Sequence, residues 1–349
     1  MTDKANSLES EIKAMAESLG FSLCGITTAF EMKTHSAYLS WLDRGMQAGM
    51  QYLATQYHIE IRRAPEKLYP NLKSIIVLGL PYSLHPIEAL RQNETGLVCG
   101  YAAGEDYHAR IPRLLSPLIS FLTEIDPSLP PPRVYSDSAP ILERELATRA
   151  GLGWVGKNSC ILSQSHGSAF LLAEIFTALQ LEPDKPFVGD HCGTCTRCIE
   201  ACPTHCILPG RVIDSNRCLS YQLIENKGDI PAEIREQMGV WLFGCDICQM
   251  VCPWNTALAK FKSHQNAEQF SLIEMEEILI FSQQDYTDRF KSTALARTRW
   301  RGLIRNILIR LANMKSVNSV ELIRRTQTNC QDPVVQATAQ WALEQLNQA

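Results

Sequence analysis

A chain of 349 residues with 45% apolar and 20% charged residues has the composition of an ordinary globular protein, long enough for two to three domains. No apolar run approaches the ~18 residues of a membrane span, and a net charge of −4 excludes a chain that is basic throughout, although Lys and Arg gather toward the C-terminus. Thirteen cysteines would suit a secreted disulfide framework, but Met1-Thr-Asp-Lys-Ala-Asn-Ser lacks an apolar signal core, so the expectation is a reducing cytoplasm.

Leu8, Ile12, Met15 and Leu19 recur at helical spacing and Gly20 follows as a stop, which predicts an amphipathic opening helix. A short strand over 21–26 and a helix through Tyr38, Leu39 and Leu42 come next. Lys73-Ser-Ile-Ile-Val-Leu-Gly-Leu-Pro81 reads as a buried strand. Pro130-Pro-Pro132 leads into another at 133–136, and a helix runs from about Ile141 to Ala150. The run 168–179, aromatic and Ile-rich after Gly167, is expected to be strand. Strands alternating with helices before residue 180 imply a mixed α/β domain, and Glu182-Pro-Asp-Lys-Pro186 reads as a linker. Beyond Pro253 the pattern turns helical, through Leu303, Ile304, Ile307, Leu308 and Leu311, and again through Val334, Val335, Ala339, Leu343 and Leu346. The expected boundaries are 1–185, 186–259 and 260–349.

Gly151-Leu-Gly153-Trp-Val-Gly156-Lys157-Asn158 matches G-x-G-x-x-G and nearly matches a P-loop. A dinucleotide fingerprint must follow a strand, yet the preceding residues read as helix, and Asn158 replaces the hydroxyl that a P-loop places on Mg²⁺. A helix end with Gly151 just past it, leading into a loop with exposed Lys157 and Asn158, is the simpler reading.

The most specific signal is Cys192-Gly-Thr-Cys195-Thr-Arg-Cys198-Ile-Glu-Ala-Cys202-Pro203, a C-x2-C-x2-C-x3-C-P run. In two-cluster ferredoxins the fourth cysteine of such a run ligates the other cluster. The partner half is Cys218 with Cys245-Asp-Ile-Cys248-Gln-Met-Val-Cys252-Pro253. Crossing the halves gives Cys192, Cys195, Cys198 and Cys252 for one [4Fe–4S] cluster, and Cys202, Cys218, Cys245 and Cys248 for the other. Zinc knuckles use paired C-x2-4-C and would not need a triple run. Cys206 is left over and is expected to be a buried thiol.

Together with Gly104-Glu-Asp106-Tyr107-His108, Ser136-Asp137-Ser-Ala-Pro-Ile-Leu-Glu-Arg-Glu-Leu-Ala, the glycine stretch and the helical tail, these cysteine halves resemble the epoxyqueuosine reductases over most of the chain. The resemblance implies a nitroreductase-like α/β domain holding base-off cobalamin, a ferredoxin-like module with two [4Fe–4S] clusters, and a HEAT-like C-terminal segment. It implies reduction of epoxyqueuosine to queuosine at the wobble position of tRNA by cob(I)alamin recharged through the clusters. A low-potential donor such as flavodoxin or ferredoxin would supply electrons to a monomer. By the same resemblance Asp137 is the catalytic acid, and Arg62 (or Arg63 by register), Asp106, His108, Lys157 and Asn158 stand beside the corrinoid. His108 is not assigned as a cobalt ligand, because Ile111 replaces the glycine of D-x-H-x-x-G.

No side chain is a two-electron reductant, so a cofactor must carry the chemistry. A general acid at Asp137 must hold its proton near neutral pH, which requires burial or an anionic neighbour. Asp137 could instead cap the helix beginning near Ile141. Ten basic residues between Arg289 and Arg325 face one acid, Glu321, and among them Arg297, Arg299, Arg301 and Arg305 are the expected tRNA contacts, with Trp300 as a possible base-stacking ring. The competing readings are a reductive dehalogenase-like corrinoid enzyme, an iron–sulfur electron carrier and an RNA-binding scaffold with structural clusters.

Overall fold

The computed structural model describes residues 7–28, 32–92, 94–256 and 269–347. Four strands, β1 (Leu23–Thr27), β2 (Ser74–Pro81), β4 (Arg133–Tyr135) and β7 (Phe170–Thr177), form an antiparallel sheet in the order β1-β2-β7-β4. The run Ser-Ile-Ile-Val-Leu-Gly-Leu is buried along its whole length because the sheet is covered on both sides. Ile76, Leu78 and Leu80 pack with Ile12 and Ala16 of α1 (Leu8–Ser18) and Leu115, Leu118 and Leu122 of α4 (Tyr107–Ile125). Ile75 and Val77 face the other way, onto Leu146 and Ala147 of α5 (Glu143–Arg149). The period of two in the strand thus becomes a three-layer domain. Two further helices, α2 (His35–Asp43) and α3 (Gln56–Arg63), carry Tyr38 and Arg62.

Between α1 and α4 the chain makes an excursion that positional boundaries do not capture. Strand β3 (Thr95–Val98) pairs in parallel with β10 (Trp241–Phe243) and antiparallel with β11 (Gln269–Ser271). Leu97, Val98 and Cys99 therefore belong to the core built by the second half of the chain. The expected boundary at 259/260 lies outside the described residues.

Hairpins β5 (Trp154–Val155) with β6 (Ile161–Leu162) and β8 (Ile207–Leu208) with β9 (Val212–Ile213) flank the thiol module. The module's helices are short: α6 (Arg197–Glu200), α7 (Leu219–Ile224), α8 (Ala232–Arg235), α9 (Ile247–Met250) and α10 (Pro253–Thr256). The C-terminal helices are α11 (Leu272–Leu279), α12 (Gln283–Phe290), α13 (Arg299–Asn313), α14 (Val320–Asn329) and α15 (Pro333–Asn347). Ser271 and Ser282 open α11 and α12 with capping boxes. No helix among the described residues is long and apolar enough to cross a membrane.

The glycine stretch takes the simpler of its readings. Gly151 follows the last turn of α5 at φ +81°, and a Cβ on Gly153 would stand 1.9 Å from the Leu162 carbonyl oxygen. These glycines serve a helix end and a tight hairpin, and a helix rather than a strand precedes them.

Candidate active site and thiol clusters

A cavity of about 930 Å³ lies between the α/β domain and the thiol module. It brings together Arg62, Asp106, Tyr107, His108 and Asp137 from the first, Cys218 and Glu225 from the second, and Arg297 from the C-terminal part. Met50, Leu53, Arg62, Asp137, Ala139 and Ser215 also line a second space of about 680 Å³.

Asp137 sits just after β4. Its side chain is 69% exposed, yet protein groups crowd its carboxylate. Tyr107 Oη donates to Oδ2 at 2.8 Å, and His108 Nε2 lies 3.7 Å from the same oxygen. The Tyr107 and His108 rings stack with centroids 4.0 Å apart. His108 is fixed from behind by Asp106, whose Oδ1 lies 2.8 Å from Nδ1 and also accepts the His108 backbone N–H as N-cap of α4. The His108 interaction, then the Tyr107 hydroxyl, outweigh burial and hold the Asp137 carboxyl below its usual range. The same contact raises His108. The direction of the Asp137 shift runs against the expectation that it keeps its own proton. Both shifts favour the pairing of a carboxylate with a protonated imidazole, the proton on the His108 side.

Capping does not explain Asp137 either. Leu142 occupies the N-cap position of α5 without a side-chain bond, while the Asp137 backbone N–H donates to Glu143 Oε1 at 2.7 Å. Of the two register alternatives, Arg62 is the one that lines the cavities. It points into both spaces, lies over the Tyr38 ring at 5.0 Å and approaches His58 Nδ1 at 2.9 Å, whereas Arg63 is exposed and lines neither.

Lys157 and Asn158 are found elsewhere, and are not the exposed tips that the loop suggested. Lys157 Nζ donates to the carbonyls of Gly193 and Cys195 at 2.7 and 2.9 Å. Asn158 is buried, with Nδ2 3.4 Å from the Cys248 carbonyl and Oδ1 accepting the Cys160 N–H. Neither lines the main cavity. They tie the α/β domain to both cysteine halves.

The thiol contacts are compatible with the crossed groups, although Cys206 also meets Cys202 and Cys218, and Cys160 meets Cys248. Cys198 lies in the field of Cys252, Cys192 and Cys195, which pushes it up to about 11 behind the larger effect of burial. Cys245 lies in that of Cys218 and Cys202. Cys252 packs with Cys192 against Trp154 and Trp254. Cys206 is buried as expected, with Sγ 3.4 Å from Cys202 Sγ. Eight thiols match the number that two tetrathiolate clusters need.

Of the four expected tRNA arginines, only two remain on one open face. Arg299 and Arg301 line a cavity of about 470 Å³ with Lys227, Lys291 and Trp300. Arg297 instead lines the main cavity, bound to Glu225 at 2.7 and 3.2 Å. Arg305 is fully buried and donates to the carbonyls of Gln222, Asn226 and Gly228, so no phosphate can reach it. Trp300 Nε1 donates to the Phe281 carbonyl, which anchors its ring to the fold.

Residues 62–138 match the family model "Epoxyqueuosine reductase QueG, DUF1730", and residues 191–255 match "4Fe-4S double cluster binding domain". An epoxyqueuosine reductase of Cyclobacterium marinum is 40% identical over 303 residues, covering 85% of this chain and 94% of the relative. The chain belongs to the epoxyqueuosine reductase family. It is an oxidoreductase of queuosine biosynthesis, acting on tRNA, and it carries a double [4Fe–4S] cluster-binding domain. Two solved structures extend the likeness across the fold. One is an epoxyqueuosine reductase with an epoxyqueuosine-modified tRNA-Tyr stem loop, with TM-score 0.85 and 29% identity over 97% of this chain and 90% of that one. The other is the Bacillus subtilis enzyme with its catalytic aspartate loop swung out of the active site, with TM-score 0.86 and 28% identity over 97% and 90%.

Sequence reasoning did not single out Tyr107 as a partner of Asp137, nor Glu143 and Glu174. Glu174 had a signal, a lone charge inside the apolar run Phe170-Leu-Leu-Ala-Glu-Ile-Phe-Thr177.

Proposed function

We propose that this chain reduces epoxyqueuosine to queuosine at the wobble position of a bound tRNA stem loop, with base-off cobalamin in the main cavity and electrons delivered through two [4Fe–4S] clusters. The observation that carries this reading is that one cavity places Asp137, Tyr107 and His108 together with Cys218, a thiol of the second cysteine group. At about 930 Å³, continued by a second space, it sits at the upper end of small-molecule sites. Its mixed lining, with Met50, Leu53, Ile224 and Phe243 among the polar groups, fits a large ring with a polar edge.

Cobalamin, if bound there, would supply two-electron reducing chemistry, and the clusters would supply one-electron transfer. The ligand sets are those of the crossed pairing, Cys192, Cys195, Cys198 and Cys252, then Cys202, Cys218, Cys245 and Cys248. Arg62 and His108 border the ring, and Lys157 and Asn158 hold the cluster loops against the α/β domain. The domain names follow: a nitroreductase-like unit, a ferredoxin-like module and a HEAT-like helical segment, with a flavodoxin- or ferredoxin-class donor and a monomeric enzyme. As the epoxide C–O bond breaks, the oxygen needs a proton. Asp137 delivers it, recharged from the His108 imidazolium, while Tyr107 holds the carboxylate in place.

Asp137→Asn keeps the side chain's size and cannot pass the proton on. Single turnover on epoxyqueuosine-containing tRNA with chemically reduced, corrinoid-loaded enzyme should slow by at least ~10², with iron and cobalt contents unchanged. A rate within a few-fold of the parent removes Asp137 from the chemistry.

A further inference from the structure

Behind the Asp137 turn lie two carboxyls that the mechanism above does not use. Glu174 is in the middle of β7, opposite Tyr135 of β4 and Val77 of β2, and is 0% exposed. Neither of its oxygens has a hydrogen-bond partner at normal distance. Burial and then the Glu143 carboxyl raise it well above the usual range, which favours its neutral form. Glu143 opens α5. Burial and the Asp137 charge lift it to about 7, and its Oε1 accepts the Asp137 N–H at 2.7 Å.

The residue that Glu143 holds is in an unfavourable conformation. Asp137 has φ +58°, and the Ser138 N–H donates to the Ser136 carbonyl at 2.6 Å across it. That is a three-residue turn of the rare, strained, positive-φ kind. Such a turn persists only where its surroundings over-determine it. Tyr107 secures the side chain, and Glu143 secures the backbone N–H.

We propose that Glu143 is a positioning residue, the latch that keeps the Asp137 turn inside the active site, with Glu174 as the buried neighbour that sets its charge. This rests on the reading of Asp137 as the proton donor. As a carboxylate, Glu143 makes a charge-assisted bond to the turn. Once protonated, it accepts more weakly and the strained turn is released. Around it stand Glu174 from β7, Asp137 itself, Arg62 from α3, Tyr107 from α4 and Arg144 beside it. The latch therefore closes as pH rises through about 7.

Hydrogen–deuterium exchange of the peptide spanning 136–142, measured on the full iron-loaded chain and corrected for intrinsic exchange, reads the latch independently of turnover. In the parent, protection of this peptide should increase from pH 6 to pH 8. Glu143→Met, which keeps the length and removes the acceptor, should exchange at least tenfold faster at pH 8. Its kcat should fall at least tenfold, with KM for tRNA within about twofold. Glu143→Gln keeps an acceptor oxygen without the charge, so its protection should stay near the parent's low-pH level and no longer change with pH. Glu174→Leu, which removes the buried proton donor beside Glu143, should move the parent's pH midpoint upward, and an unmoved midpoint removes Glu174 from the pair. Parent-like protection in Glu143→Met, or a parent-like rise of protection with pH in Glu143→Gln, overturns the latch. Fast exchange in Glu143→Met with unchanged turnover leaves the latch standing and overturns the catalytic reading of Asp137.

Discussion

His108 and Asp137 form one proton-holding unit whose two members titrate in opposite directions for the same reason. Each stabilises the other's charged form. Because His108 is raised in the folded state, its contribution to stability is complete below the ordinary histidine value of 6.5 and is lost as pH rises through the folded value. Asp137 is lowered, so its contribution is present above 3.8 and is lost as pH falls through its folded value. The window in which both members are charged is thus wider at each end than for the free groups. If the proton for the leaving oxygen resides on His108, single-turnover rates should decline on the alkaline side, above 6.5. His108→Gln should slow the step by ~10² and abolish that alkaline limb. A rate–pH profile from pH 6 to 9 checks both, and an unchanged limb in the variant places the titrating group elsewhere. The Asp106 carboxylate orients this histidine in the same act by which it caps α4.

At the scale of elements, α13 shows why a basic count misleads. Its Arg305 makes five hydrogen bonds, to three carbonyls of the segment 222–228 and twice to Asn306 Oδ1. Arg310 reaches the carbonyls of Gln92 and Thr95. These arginines clamp α13 to the loop after α7 and to β3. Burial pulls both down to about 10, so each remains a cation at neutral pH. Arg305→Met leaves three carbonyls without their donor and should lower stability by ~3 kcal/mol or more, read as a drop in thermal midpoint. A stable variant would show that water replaces the guanidinium. Sequence cannot separate such a clamp from a phosphate contact, because both are arginines on an amphipathic helix. Where periodicity decides, the reading is close: β2, β7 and α1 lie within two residues of their expected spans or inside them. Helix α4 is hidden by Pro112 and Pro117 inside it. Strand β3 is four residues long and acquires meaning only from partners about 145 and 175 positions away. In the site, cysteine spacing made the double cluster-binding domain legible because cluster ligation demands that spacing. The Glu143–Glu174 pair was not, since its logic is contact across the fold.

On the scale of the whole molecule, the two cavities that matter are joined by charge. Lys227 lines the basic cavity and donates to the carbonyl of Arg297, which lines the main one. Lys291, Arg299 and Arg301 lie on the outer side of this bridge, and Arg301 is already paired with Asp332 at 2.5 Å. A polyanion that rests on these residues would lead its modified base toward Asp137. Binding of this kind releases counterions, so its affinity falls with salt in proportion to the phosphates neutralised. Replacing Lys291, Arg299 and Arg301 by Ala should weaken binding of the tRNA stem loop. It should flatten the log–log salt dependence by up to ~0.9 per lost contact on duplex, or ~0.7 on single strand. Arg324, exposed and facing Glu321 on α14, lies outside the cavity and serves as the control, since Arg324→Ala should leave the slope unchanged. Arg305 is excluded from the set because its loss would unfold rather than unbind. A triple variant with the parent's slope and an intact iron content would move the RNA away from α13, to the rim of the main cavity where Arg297 stands.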